Sequence, residues 1–158
     1  MINNKSVLAI TLARGGSRGI FKKNITIIND KPLLSYTIEE VLKSKFIDKY
    51  IIATDDNDIE KVCQKWKGID KIECFRRKPV SNTQTTAEGI LEVLDNVTKY
   101  DYIIEVMCTN PLKTVKDIDG VINKIDSTDS DSVVSVVRIW DNHPSRVKYI
   151  EDDLLIGF

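Results

Sequence analysis

Short apolar runs alternate along the chain with stretches in which apolar residues recur every three or four positions, the pattern of strands alternating with amphipathic helices. Val7–Leu12 (VLAITL) reads as the first strand. After a polar stretch, Pro32 sits where a helix can begin, and Leu34, Ile38, Val41 and Leu42 fall on one face. Lys49–Thr54 (KYIIAT) predicts a second strand, with Asp55 and Asp56 as cap candidates before a helix face of Ile59, Val62, Cys63 and Trp66. A third strand is expected over 71–75. The polar stretch 76–86 then leads into a helix lined by Ala87, Ile90, Leu91 and Leu94, with Thr85 and Glu88 as a capping box. Residues 102–107 (YIIEVM) read as a buried strand. Thr114 and Asp117 cap the next helix, whose inner face is Ile118, Val121, Ile122 and Ile125, and 132–137 (SVVSVV) supply a last strand. From Arg138 onward the periodicity weakens and no closing element is expected. The pattern predicts an α/β fold with a mostly parallel sheet and one domain over 1–158, without repeats or linkers.

Composition narrows the function classes. With 158 residues and a formal net charge of -1, the chain has neither the composition of a disordered protein nor the global basicity of a nucleic-acid binder. The three cysteines, Cys63, Cys74 and Cys108, are odd in number and show no C-x-x-C spacing. This argues for a reducing compartment and against a disulfide framework. The single histidine, His143, makes a zinc site improbable. No apolar run reaches the roughly 18 to 20 residues of a membrane span, and no signal-peptide core precedes the first strand. The expected location is cytoplasmic, with neither nucleic acid nor membrane as partner.

Positive charge is concentrated locally. Arg14, Arg18, Lys22 and Lys23 crowd a bend carrying Gly15, Gly16 and Gly19 directly after the first strand. Such a bend turns backbone amides inward and supplies cations to an anion, which is the chemistry of a phosphate cradle. Its spacing fits neither G-x-x-x-x-G-K-[ST] nor G-x-G-x-x-G, so a P-loop ATPase is excluded and a dinucleotide-binding turn disfavoured. Arg14 stands at the carboxyl edge of a strand, where open α/β sheets bind ligands. Asp55 and Asp56 offer hard oxygen atoms of the kind magnesium takes, but Asp before a helix is more often a cap.

The bend L-A-R-G-G-S-R-G-I-F-K-K-N (12–24) closely resembles the nucleotide-binding signature of the acylneuraminate cytidylyltransferases, the CMP-sialic acid synthetases. The resemblance continues in order through Lys31-Pro32-Leu33-Leu34, Ala53-Thr54-Asp55-Asp56, Asn110-Pro111-Leu112-Lys113-Thr114, Asp117-Ile118-Asp119, 131–136 and His143-Pro144. It implies a three-layer Rossmann-like fold of the nucleotide-diphospho-sugar transferase type. The implied reaction transfers CMP from CTP to an acidic nine-carbon sugar: the anomeric hydroxyl attacks the α-phosphorus in line, pyrophosphate leaves, and magnesium assists. Such chemistry is mostly positioning and charge stabilisation, without a protein nucleophile.

On this resemblance Arg14 and Lys23 hold the triphosphate and act in catalysis. Ser17 and the amides of Gly15 and Gly16 complete the cradle with Asn24, and Arg77, Thr83, Gln84 and Thr86 form the cytidine pocket, with Arg76 able to replace Arg77. No metal ligand is assigned. Met107 stands where the family commonly has glutamine, and Phe21 where proline is usual. His143 is given a structural or sugar-facing role. The family normally continues past the position of Phe158 with a dimerisation arm, a catalytic arginine and metal-binding acidic residues, so the chain is expected to be truncated at its C-terminus, with homodimerisation a property of the full-length protein. Alternatives are a cytidylyltransferase for legionaminic, pseudaminic or keto-deoxyoctonic acid, or a non-catalytic CTP-binding remnant.

Overall fold

Strand β1 (Val7–Leu12) is fully buried over its first five residues, because apolar side chains leave it on both faces and each face meets its own layer. Val7 and Ala9 point into one cluster, Leu8 and Ile10 into another. This is the period of two that a pleated strand imposes. In the computed structural model, which describes residues 1–17, 19–79, 81, 83–128, 130–136, 148–151 and 154–157, β1 pairs in parallel with β4 (Lys49–Thr54) and with β6 (Tyr102–Glu105). β4 pairs in parallel with β5 (Ile72–Arg76), so the sheet order is β5-β4-β1-β6, while the two-residue strands β2 (Ile27–Ile28) and β3 (Lys31–Pro32) pair antiparallel with each other. Arg18, Asn82, Val137, His143 and Pro144 lie outside the described residues.

Helices cover the sheet on both faces, giving the three-layer Rossmann-like arrangement. α1 (Leu33–Lys43), α2 (Asn57–Cys63) and α4 (Val115–Ser127) bury Leu34, Ile38, Val41, Ile59, Ile118 and Ile122 in the larger cluster. α3 (Thr86–Leu94) packs Val93, Ile90 and Leu94 onto the opposite face. Their starts are the expected ones: Pro32 precedes α1, Asp56 accepts from the amides of Asp58 and Ile59, and Thr85–Glu88 and Thr114–Asp117 are complete capping boxes.

Three sequence expectations are corrected. Residues 132–136 form no strand, and Val134 and Val136 are 78% and 91% exposed. A β-branched run becomes a strand only where a neighbouring ladder accepts its backbone, and none does so there. β6 is shorter than expected and, among the described residues, is an edge strand, its residues alternating between half-buried and exposed, because α3 packs on β1 and β4 rather than on β6. Past Arg138, where no element was expected, β7 (Lys148–Glu151) and β8 (Leu154–Gly157) pair antiparallel. Runs of four residues are too short for their period to stand out.

Buried polar bonding ties β1 to β4 and to the end of β6 beneath the glycine bend. Thr11 donates to the Val106 carbonyl at 2.6 Å and shares a 2.8 Å hydrogen bond with the Tyr50 hydroxyl. Since the Thr11 proton is used, Tyr50 is the donor in that bond. Burial pushes its phenol far up, so it stays protonated. The bend itself is anchored to α2. Lys22, in left-handed backbone at φ 49, opens a 3-10 turn over Lys23–Ile25, and its ammonium pairs with Asp58 and, at 3.8 Å, with Asp56. A further tie is the Gly15 amide, which donates to Asp55 Oδ1 at 2.9 Å.

Thr11→Val keeps the shape but strands the Tyr50 hydroxyl, and is expected to cost about 1–3 kcal/mol in urea unfolding. Adding Tyr50→Phe to it should recover part of that loss, because no buried phenol then lacks a partner. Lys22 and Lys61 hold the Asp58 carboxyl down at about 2. A depressed carboxyl contributes stability above its unfolded value and loses it as pH falls through the folded one. The Asp58 carboxyl resonance should therefore titrate near pH 2, and Lys22→Met should raise that midpoint.

Candidate active site

Beyond the carboxyl ends of β1 and β6 the strand order reverses, and side chains from four segments enclose a cavity of about 480 Å³. Such a reversal leaves a crevice because the connections on its two sides lead away from each other. The β1 side supplies Leu12, Arg14, Ser17 and Gly19, and the 3-10 turn adds Lys23 and Asn24. The β5–α3 side supplies Arg77, Gln84, Thr85 and Thr86, and the β6 side Glu105, Met107, Cys108 and Thr109.

The four cations of the bend divide. Arg14 and Lys23 face the cavity, and among the described residues neither forms an ion pair with a carboxylate. Lys22 turns the other way, to Asp56 and Asp58, and Arg18 lies outside the described residues. The cavity therefore holds two cations whose charge no described residue neutralises by contact, which favours an anionic occupant.

Asn24 joins two of the walls. It is buried, its Nδ2 donates to the Arg14 carbonyl at 2.9 Å, and its Oδ1 accepts from the Cys108 thiol at 3.2 Å. Burial pushes that thiol up, which keeps it protonated and able to donate. One side chain thus fixes the distance between the strand ends.

Strand parity separates the two arginines. Arg76, the last residue of β5, points to α2, where it bonds Asn57 at 2.8 Å and Glu60 at 3.1 Å. Arg77 points into the cavity wall and is 5% exposed. Its Nε donates to Glu92 at 3.1 Å and a terminal nitrogen to Gln84 Oε1 at 2.7 Å. With the guanidinium so committed, Arg77 orients Gln84, whose amide NH₂ is left to act as a donor. Room for it comes from Gly89: a Cβ there would lie 2.9 Å from the guanidinium and 2.8 Å from Leu12 Cδ1. A glycine inside a helix costs about 0.5–1 kcal/mol relative to alanine, and here it makes the slot in which Arg77 lies.

Of the residues expected from sequence, Arg14, Ser17, Lys23, Asn24, Arg77, Gln84 and Thr86 line one cavity. Gly15, Gly16 and Thr83 do not. The Gly15 amide is taken by Asp55, and any Cβ there would meet Asp56 Oδ2 at 2.4 Å, so this glycine serves close packing of the bend on α2. Gly16 has open space around it, and Thr83 pairs with Ser81 at 3.0 Å on an exposed turn. The residue missed is Glu105, whose carboxyl burial pushes up. A lone acid within the apolar run YIIEVM was the available signal.

The described residues contain no group of three or more His, Cys, Asp or Glu side chains that could hold a metal. The Asp55–Asp58 carboxylates are engaged by the Gly15 amide, the α2 cap, Lys22 and Lys61. Among the described residues no helix is long and apolar enough to cross a membrane.

A family model described as Cytidylyltransferase matches residues 8–149, nearly the whole chain. N-acylneuraminate cytidylyltransferase of Oncorhynchus mykiss is 30% identical over 136 residues, covering 85% of this chain and 31% of that protein. The Escherichia coli O18:K1:H7 enzyme of that name is 30% identical over 151 residues, covering 93% and 34%. Pseudaminic acid cytidylyltransferase of Campylobacter jejuni serotype O:2 is 34% identical over 110 residues, covering 66% and 47%. Among solved structures, CMP:2-keto-3-deoxy-manno-octonic acid synthetase complexed with CTP superposes with a TM-score of 0.65 at 21% identity, covering 77% of this chain and 47% of that one. Francisella tularensis 2-C-methyl-D-erythritol 4-phosphate cytidylyltransferase gives 0.67 at 18%, covering 96% and 64%. These two likenesses speak for the fold alone. The chain spans about a third of the length of the N-acylneuraminate relatives it matches. With the model matched from β1 to β7 and the cationic cavity lying inside that match, the chain belongs to the cytidylyltransferase family.

Proposed function

We propose that the cavity between β1 and β6 holds CTP and that the protein transfers CMP to a sialic-type nine-carbon sugar acid, releasing pyrophosphate. The observation that carries this reading is the pair of cavity-facing cations without a carboxylate partner among the described residues, Arg14 and Lys23, at the strand-order reversal of a cytidylyltransferase-family chain. They grip the triphosphate and offset the charge that grows on the departing pyrophosphate. Ser17 adds a hydroxyl to the phosphate side, with Gly15 and Gly16 shaping the bend behind it. Asn24 holds Arg14 in place through its carbonyl. On the α3 side Gln84, oriented by Arg77, and Thr86 present donors and acceptors to the cytosine edge, and Thr83 borders them on the preceding turn. The acceptor hydroxyl attacks in line from the β6 side. Magnesium, which the family resemblance implies, would supply further charge neutralisation on the phosphates; no step is assigned to it, since the described residues offer it no ligand set.

A second reading, transfer to another sugar acid such as pseudaminic acid, is favoured by Met107. It is 59% exposed on the β6 wall, where its thioether offers no hydrogen bond comparable to an amide's. The comparison with the pseudaminic acid enzyme points the same way. The partners are thus CTP and an acidic sugar, with homodimerisation proposed for a longer chain.

Calorimetric titration with CTP tests the nucleotide site. Arg14→Ala removes a charge-assisted contact worth roughly 1.5–3 kcal/mol, so affinity should fall about ten- to hundred-fold; unchanged affinity refutes the triphosphate assignment. Gly89→Ala should weaken CTP binding by displacing Arg77 and Gln84 while raising intrinsic helix propensity. Release of pyrophosphate from CTP across a panel of sugar acids identifies the acceptor.

A further inference from the structure

The segment between β6 and α4 forms a wall of the cavity through Met107, Cys108 and Thr109, yet it contains no regular structure. Its internal bonding is thin: the Asn110 amide reaches the Met107 carbonyl at 3.4 Å, the long end of the hydrogen-bond range. Beyond the Asn24–Cys108 bond, what holds the wall is Lys113. Its ammonium donates to the Met107 carbonyl at 2.7 Å, to the Asn110 carbonyl at 2.6 Å and to Thr37 Oγ1 at 2.7 Å. All three N–H groups are committed. A lysine ordinarily keeps its head in water and its rotamers free; this one gives up both to bridge a loop and a helix.

The helix is a firm support. Thr37 is fully buried in α1, beside Ile38 and Val41, which are also fully buried. Thr37, Glu40 and Ser44 are spaced three and four apart, so they share one side of α1 and its C-terminus. Each makes one bond to the segment or to the helix that follows it. Glu40 accepts from the Val115 amide at 2.8 Å and Ser44 donates to Asp119 at 2.5 Å. Burial also pushes the Lys113 ammonium down to about 8, with Cys108 and Glu40 the titratable groups beside it.

We infer that Lys113 is a positioning residue of the cavity, tying the Met107–Asn110 turn to Thr37 of α1 and so setting where the β6 wall stands. It does not itself line the cavity. Its effect on a ligand rests on the nucleotide reading above; its effect on the wall does not.

Hydrogen exchange and CTP titration on the 158-residue chain separate the two. Lys113→Met keeps the aliphatic stem and removes the donors. It should speed exchange of the 107–112 amides by roughly ten-fold or more while those of β1, β4 and α3 keep their wild-type rates. CTP affinity should fall roughly two- to thirty-fold. Lys113→Arg, which restores several donors, should return both readouts most of the way, and Lys116→Met, at an exposed lysine nearby, should change neither. Thr37→Val, which removes one bond at nearly constant shape, should loosen the same amides and serves if Lys113→Met does not fold. Unchanged exchange over 107–112, or faster exchange spread over the whole sheet, overturns the positioning role. Wild-type chain that binds no CTP refutes the nucleotide reading, and the exchange measurement still decides the clamp.

Discussion

The position of β1 between β4 and β6 is the constraint on which the rest depends. A parallel strand with neighbours on both sides and a helical layer on each face must be apolar throughout, and VLAITL meets that demand with one polar side chain. That side chain, Thr11, is tolerated because Tyr50 and the Val106 carbonyl absorb its hydrogen-bonding capacity. With β1 so placed, the chain must leave it at its carboxyl end into the region where the order of strands reverses. The glycine bend is in the right place because the sheet leaves it nowhere else to go.

Charge is then sorted by side. Asp55, Asp56 and Asp58 gather at the start of α2, where the Gly15 amide, the first helix amides, Lys22 and Lys61 occupy them. The acidic cluster thereby holds the outside of the bend and leaves the inside positive. Had those carboxylates turned inward, they would have neutralised the two cations by contact. The same economy recurs at Arg77, whose charge is met by Glu92 so that it can shape a neighbour.

Much of this was legible in the sequence because it rests on local chemistry. Four strands, four helices and both capping boxes follow from apolar period and from Ser, Thr, Asp and Glu spacing. Arg14 follows from its place at a strand end, and Lys23 from the family resemblance. What escaped depended on partners remote in sequence. The run 132–137 has β propensity, but over 132–136 no strand pairs with it. Residues 102–107 look buried until α3 is seen to cover only the neighbouring strands. The Gly15 amide looked free for an anion until folding brought Asp55, forty residues on, against it. Lys113, the most heavily bonded cation near the cavity, resembles an ordinary surface lysine in sequence, and only the packing of α1 beneath the loop reveals it.

Gly89 extends this lesson to what cannot be seen as chemistry at all. It carries no functional group, sits in the middle of a helix and contributes no atom to the cavity lining, yet the outline of one wall is cast against the space it leaves. A record of variation at such a position would look like intolerance without cause. The side chain that matters there is the one that must not exist, and the freedom of α3 to change its sequence is bounded by the outline of an arginine on another element.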